Sequence, residues 1–466
     1  MEKTKIFLNS VNEHLKNPDL QVFLNKLSKS IDLPNKVVLS SYKQYISRNH
    51  NFLKTNIENK ISILGIIICS IKYISSFFYA FVFSKDLKKQ KKVKIIFDEI
   101  LNLADFEDLE LLIKKFSDYK IITSKNLNKP NELSFVNRRG YFNKLITSKI
   151  KEIFLFIIID SILFSKKIGI NLVSFAEFVV NQKLKYETIF MTQKSDILFQ
   201  FRPYNTSSIK NHIFKHHGGK FSCTYQRILT HLGRTGYFID ADIFFSLGKK
   251  SSDIMYQNGS NIKKIIPVGS IIYEKYWLKN EKLKTPKFDI LYLGGNKLRF
   301  FGTDSKYLQN YYEQLNWLAK LSKRFPDLSV TLKHHETNKN DDERENKILE
   351  NSFVKKIIKS DQGHKNLSYG FANNAKVNLT WCSTMAYELL GHKIPCYFLD
   401  PNLENDGFLH DFGYNKIWRI PSYEKLEEKI IKVILENTHD PIISGDSFCL
   451  DSEEASKRLV ESFKNI

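Results

Sequence analysis

Two hydroxyls followed one helical turn later by a carboxylate, Ser383, Thr384 and Glu388, stand inside the stretch Ala375-Lys-Val-Asn-Leu-Thr-Trp-Cys-Ser-Thr-Met-Ala-Tyr-Glu-Leu-Leu-Gly-His-Lys-Ile-Pro-Cys-Tyr-Phe-Leu-Asp-Pro401. Apolar alternation ends at Thr380, and Ser383-Thr384 sit where a helix should begin. Glu388 lies four residues after Thr384, so hydroxyl and carboxylate project from one side of that helix. Amide N–H groups and hydroxyls at a helix start suit a phosphate, and a carboxylate one turn in suits a ribose hydroxyl or a base. An ordinary capped helix would use the same Ser-Thr pair only to satisfy its own amides. Gly391 and Pro395 read as the stop before the next apolar run, Cys396-Tyr-Phe-Leu.

The elements that position these groups belong to a long, basic chain. Its 466 residues predict two domains, or two plus an extension, and 42% hydrophobic with 26% charged residues is the profile of a folded protein. The net charge of +21 invites a nucleic-acid reading, but of 71 Lys and Arg only eleven are Arg. Bidentate phosphate and base recognition favours Arg, and the lysine excess beside abundant Ile, Asn, Phe and Tyr is what an A+T-rich genome produces. A basic surface facing anionic lipid or an anionic substrate fits better, and no nucleic-acid partner is expected. Cys69, Cys223, Cys382, Cys396 and Cys449 are odd in number and lack metal-type spacing, which predicts a reducing compartment and no zinc site. Met1-Glu-Lys-Thr-Lys-Ile opens no signal peptide, so a cytoplasmic protein is expected, with the inner face of the membrane as a further address.

Residues 1–60 carry apolar residues at helical spacing, broken at Pro18 and Pro34. The apolar run from Ile61 to Phe83 is long enough to span a bilayer. Lys72 at its middle and aromatics in its second half leave three readings open: a buried core helix, a helix in the membrane interface, or a spanning helix. The run Lys85-Asp-Leu-Lys-Lys-Gln-Lys-Lys-Val-Lys94 follows, either a solvated linker or a contact with anionic headgroups. From Val93 strands alternate with helices. Val93-Lys-Ile-Ile-Phe-Asp98 and Ile121-Ile-Thr are strands, Asp105 to Phe116 a helix, and Ile150 to Phe175 a buried helix. Phe214-Lys-His-His-Gly-Gly-Lys220 closes on a loop. A second unit starts after the linker Lys279 to Lys287. Its expected elements are a strand at Phe288-Asp-Ile-Leu-Tyr-Leu-Gly-Gly295, a helix from Tyr307 to Arg324 and a strand from Leu328 to Glu336. A polar loop from Thr337 to Asn346, a late helix from Tyr423 to Leu435 and a tail helix from Asp451 complete it. This alternation predicts an α/β protein with two parallel-sheet domains. The boundaries are a helical extension over 1–90, with membrane association an open reading, an acceptor domain over 91–280, a nucleotide-donor domain over 281–440 and a tail helix over 441–466.

A glycine turn at Gly294-Gly295, a second strand ending in Leu-Lys-His-His-Glu and a Ser-Thr helix with a downstream Glu occur in that order. The order resembles the C-terminal half of GT-B glycosyltransferases of the bacterial surface-carbohydrate type, the group of capsule and lipopolysaccharide Kdo transferases and CDP-glycerol glycerophosphotransferases. His216-His217-Gly218-Gly219 resembles the histidine–glycine loop of related surface-polysaccharide proteins. The likeness covers roughly residues 190–440, and it departs from the group where Glu336 follows His335 in place of a proline. It implies two Rossmann-like domains facing across a cleft. It also implies transfer of a sugar or glycerophosphate from a nucleotide-activated donor to a surface-polysaccharide or lipid-linked acceptor.

In such an enzyme Gly294 and Gly295 let the backbone approach a phosphate closely. His334 and His335 point to opposite faces of a continuing strand, which leaves His335, nearer the end, for the phosphate. Ser383 and Thr384 add donors, and Glu388 completes the donor set. Dipoles aimed at the leaving nucleotide can replace a metal ion, so metal-independent transfer without a resident cofactor is expected. An inverting transfer needs a base. His217 leads because imidazole titrates near neutrality, with His216 an equal geometric competitor and Asp242 behind them. Arg202 and Lys220 are the candidates for an anionic acceptor. A nucleotide-sugar epimerase of similar form and a non-catalytic scaffold in polysaccharide assembly are the alternatives.

Overall fold

The computed structural model describes residues 2–48, 63–82, 89–123, 132–134, 144–228, 236–279, 287–294, 306–334, 342–357, 364–381, 383–401, 418–438 and 449–464. The chain divides into two compact units. Met1–Ser246 with Ser252–Ile266 forms the first, and Leu247–Ser251 with Pro267–Ile466 the second.

Among the described residues the first unit contains seven strands: β1 (Val93–Ile100), β2 (Tyr119–Thr123), β3 (Glu132–Ser134), β4 (Ser195–Gln200), β5 (Phe221–Tyr225), β6 (Asp240–Ser246) and β7 (Asn261–Pro267). They form one sheet in the order β3-β2-β1-β4-β5-β6-β7. β1 pairs in parallel with both β2 and β4, and β5 with both β4 and β6. Ile95, Ile96 and Phe97 are buried in succession, because helices cover both faces of a parallel sheet. Those helices are α1 (Glu2–Leu15), α2 (Pro18–Ser30), α3 (Asn35–Arg48), α4 (Ile63–Val82), α5 (Leu103–Ile113), α6 (Lys144–Ile168), α7 (Val173–Thr192) and α8 (Ser208–His216). Pro18 opens α2 behind an Asn17 cap that accepts from the Leu20 amide at 3.1 Å.

The N-terminal helices do not stand apart. Leu24, Val38 and Tyr42 join Ile96, Leu198 and Phe175 in one hydrophobic core, with Tyr42 edge-on to Phe175 at 4.9 Å. The segment expected as one buried helix from Ile150 is α6 and α7, parted at Gly169, whose φ of 78° suits glycine. Only one side of α6 is buried, since Leu155, Phe156, Ile159 and Leu163 are exposed.

Helix α9 (Lys249–Gln257) follows β6. The second unit runs α10 (Ile271–Lys279), β8 (Phe288–Leu293), α11 (Lys306–Arg324), β9 (Val330–Lys333), α12 (Glu343–Leu349), β10 (Lys355–Ile357) and α13 (His364–Asn373). It continues with β11 (Ala375–Thr380), α14 (Thr384–Gly391), β12 (Cys396–Leu399), β13 (Arg419–Ile420), α15 (Tyr423–Ile430) and α16 (Ala455–Lys464). Its sheet is parallel in the order β10-β9-β8-β11-β12-β13. That is the 3-2-1-4-5-6 arrangement of a Rossmann domain. α12 starts inside the segment expected as polar loop, because Asp342 caps it and Glu345 is tied to the Tyr311 hydroxyl at 2.8 Å. Gly391 is the last residue of α14 and not a left-handed stop. The left-handed φ belongs to Lys393, and a Cβ on Gly391 would lie 2.6 Å from the Cys449 carbonyl oxygen. Beyond that tail α16 packs on α10, where Glu274 accepts from the Ser456 amide at 2.8 Å and hydroxyl at 2.9 Å.

Candidate functional site

In the second sheet the strand order reverses between β8 and β11, and open α/β sheets bind ligands at the carboxyl ends beside such a reversal. Leu293 and Thr380 end these two strands and pair directly, and the Thr380 hydroxyl donates to the Leu293 carbonyl at 2.9 Å. The next residues emerge side by side. Gly294 donates its amide to the Lys333 carbonyl at 2.9 Å, carrying the ladder one step beyond β8. Ser383 caps α14 in an extended conformation, its Oγ accepting from the Met385 amide at 3.2 Å. A hydroxyl that accepts in this way still carries a proton to donate. Ser383 and Thr384 are partly exposed. Gly294 and the Ser383-Thr384 helix start thus follow the ends of two directly paired strands.

Glu388 does not join them. It is buried, and its two carboxylate oxygens accept from the Ser270 hydroxyl at 2.5 Å and the Tyr369 hydroxyl at 2.7 Å. Its position one turn into α14 faces the packed interior of the unit, so the expected ribose contact is replaced by an internal hydrogen-bond network. His334 is likewise buried, with Nε2 on the Glu345 carboxylate. Gly295 and His335 lie outside the described residues.

The first sheet reverses between β1 and β4. At its carboxyl edge Asp98 and Glu99 form a bulge, where the β1–β2 register slips between Phe97 and Ile100 and Glu99 takes a φ of 67°. Left-handed backbone at a non-glycine residue costs energy and re-aims the side chain. Lys210, in the first turn of α8 and fully buried, puts its ammonium 2.8 Å from Asp98 and 2.7 Å from Glu99. Asn205 donates to Glu99 at 2.9 Å. Burial pushes the Asp98 carboxyl up, but Lys210, with Lys185 behind it, outweighs that and holds it below the usual range. Burial alone would lower Lys210, and the two carboxylates hold it well above its ordinary value. The Glu99 side chain is 10% exposed against 3% for Asp98 and 0% for Lys210, so Glu99 is the accessible member of the group.

Arg202 lies on the same edge, but its guanidinium is engaged inside the protein. It binds Asp105 at 2.7 Å and the Tyr204 hydroxyl, and Arg227 holds the other side of Asp105 at 2.7 Å. Burial raises Asp105, while Arg227 and Arg202 hold it below the carboxylate range. A charge neutralised in this way orders the loops after β1, β4 and β5 and is not poised for an anionic acceptor.

The expected bases sit at the opposite edge. α8 runs from the carboxyl edge back to the start of β5, which puts His216 and His217 at the amino ends of the strands. His217 Nε2 lies 2.6 Å from Glu187 near the end of α7. Lys220 pairs with Asp196 at 3.6 Å beside the first residue of β4. Asp242, early in β6, is held by Lys215 at 2.7 Å and Lys263 at 2.9 Å and accepts from Ser222. These groups tie helix ends to strand starts, the edge that positions no ligand in open parallel sheets. Glycine beside histidine marked a loop and did not say which edge the loop was on. The residues that reasoning passed over, Asp98 and Glu99, had a visible signal: two carboxylates ending the first apolar strand.

No family model matches the chain, and no curated protein matches its sequence. Solved structures match its fold. A UDP-N-acetylglucosamine 2-epimerase superposes with a TM-score of 0.50 at 14% identity, covering 80% of this chain and 96% of its own. The S. aureus MnaA–UDP structure does so with 0.50 at 13% identity, covering 80% and 96%. The wall teichoic acid polymerase TagF aligns with 0.44 at 12% identity, covering 87% and 98%. At such identities the likeness is one of architecture: the chain has a GT-B-type fold of two Rossmann-like domains.

Proposed function

We propose that this protein is an enzyme that takes a sugar, or glycerophosphate, from a nucleotide-activated donor and transfers it to a surface-polysaccharide or lipid-linked acceptor in the cytoplasm. One observation supports the reading: Gly294 and the Ser383-Thr384 helix start follow the paired ends of β8 and β11, at the reversal of the second sheet. Amide and hydroxyl dipoles at that point stabilise charge on the leaving phosphate, and a metal ion is not required of them. Gly295 and His335, next on the same loops, are assigned to the same phosphate. On the acceptor side Glu99 replaces His217, His216 and Asp242 as the general base. It is partly exposed, at a carboxyl edge, and re-aimed by a bulge.

The test is a thermal-shift screen with CMP, CDP, UDP and GDP. A ligand that binds only the folded protein raises its melting temperature. At least one nucleotide should do so, and Ser383→Ala with Thr384→Ala should remove that shift while the unliganded protein stays folded. An unchanged shift in the double variant would remove the pocket. No shift with any nucleotide would favour a scaffold. The fold likeness to UDP-N-acetylglucosamine 2-epimerase supports a second reading, epimerisation of a nucleotide sugar. NMR of the protein with UDP-N-acetylglucosamine separates the two. A new UDP-sugar without an acceptor favours the epimerase, and a sugar appearing on an added acceptor with release of UDP favours the transferase.

A further inference from the structure

We propose that the outward face of α4, with the exposed lysines at 89 and 91 beyond it, docks the first unit onto an anionic lipid bilayer, the helix lying in the plane of the interface. This goes beyond the transferase reading and stands without it. Leu64, Ile67, Ile68, Ile71, Ile74, Phe78, Phe81 and Val82 are all exposed, from 38% at Phe81 to 65% at Leu64 and Phe78. They recur three and four residues apart and so line one side of the helix. A row of that size on a water-facing surface marks an interaction site.

The opposite side of α4 is fixed to the protein. Phe77 stacks on Phe154 of α6 at 4.0 Å, Tyr73 lies 5.0 Å from the same ring, and the Ser174 hydroxyl donates to the Cys69 sulfur at 3.1 Å. The helix is long and apolar enough to cross a membrane by length and composition. Its packed side argues against lipid all round, and its exposed side argues against a core helix. α6, on which Phe77 rests, adds an exposed row of its own in Leu155, Phe156, Ile159 and Leu163.

Charge identifies the occupant. α4 contains no acidic residue. Lys72 is exposed at the margin of the row, where its stem can lie along lipid while the ammonium reaches headgroups. Six lysines and one aspartate fall between Lys85 and Lys94. Lys89, Lys91, Lys92 and Lys94 are exposed, the last two beside Asp196 at 2.7 and 3.9 Å. Lys166 and Lys167 stand in the last turn of α6, both exposed, with Lys167 3.8 Å from Asp19. A second copy would bring the same lysines, and another +21, against these, whereas an anionic headgroup layer neutralises them.

The experiment is co-sedimentation of the full chain with vesicles of phosphatidylcholine alone or with about one-third phosphatidylglycerol. Binding should be about tenfold stronger to the anionic vesicles and weaken at high salt. Ile71→Glu with Phe78→Glu should lower it at least about tenfold with an unchanged melting temperature, since both side chains point outward. Lys89→Gln with Lys91→Gln, on an exposed segment with no packing to lose, should remove about tenfold of the anionic preference. The proposal is overturned if the wild-type protein stays in the supernatant with both vesicles, or if both double variants bind as it does. It is equally overturned if sedimentation equilibrium finds a dimer that the Ile71/Phe78 variant dissociates, which would make a second copy the occupant.

Discussion

The Lys210 ammonium bridges Glu99 at 2.7 Å and Asp98 at 2.8 Å, so one buried cation holds two consecutive carboxylates at the end of the first strand of its sheet. Consecutive residues of a regular strand point to opposite faces, and the bulge with its left-handed Glu99 is what lets both reach one lysine.

Lys210→Met should therefore be severe. It leaves two carboxylates near one another without their cation, and breaking a buried pair on one side costs about 3–5 kcal/mol. Urea unfolding checks this, and a loss under about 1 kcal/mol would mean that water or Lys185 replaces the missing charge.

The same group sets a pH window. Asp98 is held low when folded, so its contribution is present above the ordinary carboxyl pKa of about 4 and is lost as pH falls through the folded value. Lys210 is held high, so its contribution is present below about pH 10 and is lost as pH rises through its folded value. The contribution of this pair should be flat between the two limits. Asp98→Asn should flatten the acid limb, as read from melting temperature against pH, and an unchanged limb would place its origin elsewhere.

Glu99→Gln keeps a hydrogen-bond acceptor for Lys210 but cannot take a proton. Turnover with the nucleotide donor found by thermal shift should fall about 10²–10⁴-fold, while the nucleotide-induced shift remains. Full activity in this variant would return the search for a base to other residues.

Glu388→Gln separates architecture from binding. Its carboxylate accepts from Ser270 and Tyr369, so an amide there must present a donor to one of two hydroxyls, at a cost of about 1–3 kcal/mol. Nucleotide affinity, measured calorimetrically, should change less than threefold, against its loss in the Ser383/Thr384 double variant. A large affinity loss with intact stability would restore the ribose role.

Gly391→Ala tests the tail. The added methyl meets the carbonyl oxygens of Cys449 and Leu450, at 2.6 and 2.9 Å, and backbone cannot yield as a side-chain tip does. A destabilisation of about 1–3 kcal/mol is expected. Proteolysis within the tail should accelerate in parallel, and an unaffected cleavage rate would mean that the segment adapts in place.

The alternation of strand and helix was legible because both patterns leave apolar residues at their own periods. The buried run in β1 and the Ser383 cap after β11 could be located from residues alone. The edge on which a residue lies could not. His216 and His217 end a helix that returns to the strand starts, and nothing local to Phe214–Lys220 records the direction of that return. Glu99 escaped notice because no glycine or asparagine announces its left-handed backbone, which long-range contacts with Lys210 and Asn205 impose. α4 left core, interface and span open, because hydropathy counts apolar residues without saying which side a neighbour already occupies.

The contact between Glu274 and Ser456 joins residues 182 positions apart. A ribosome adding about 5–20 residues per second needs about 10–40 s to travel that distance. Through this interval α10 waits for Ser456 to be made, while the earlier half already has its own strands in hand. The later half is thus the part of the molecule most exposed during synthesis to capture by wrong neighbours, and the part whose yield should depend most on chaperones.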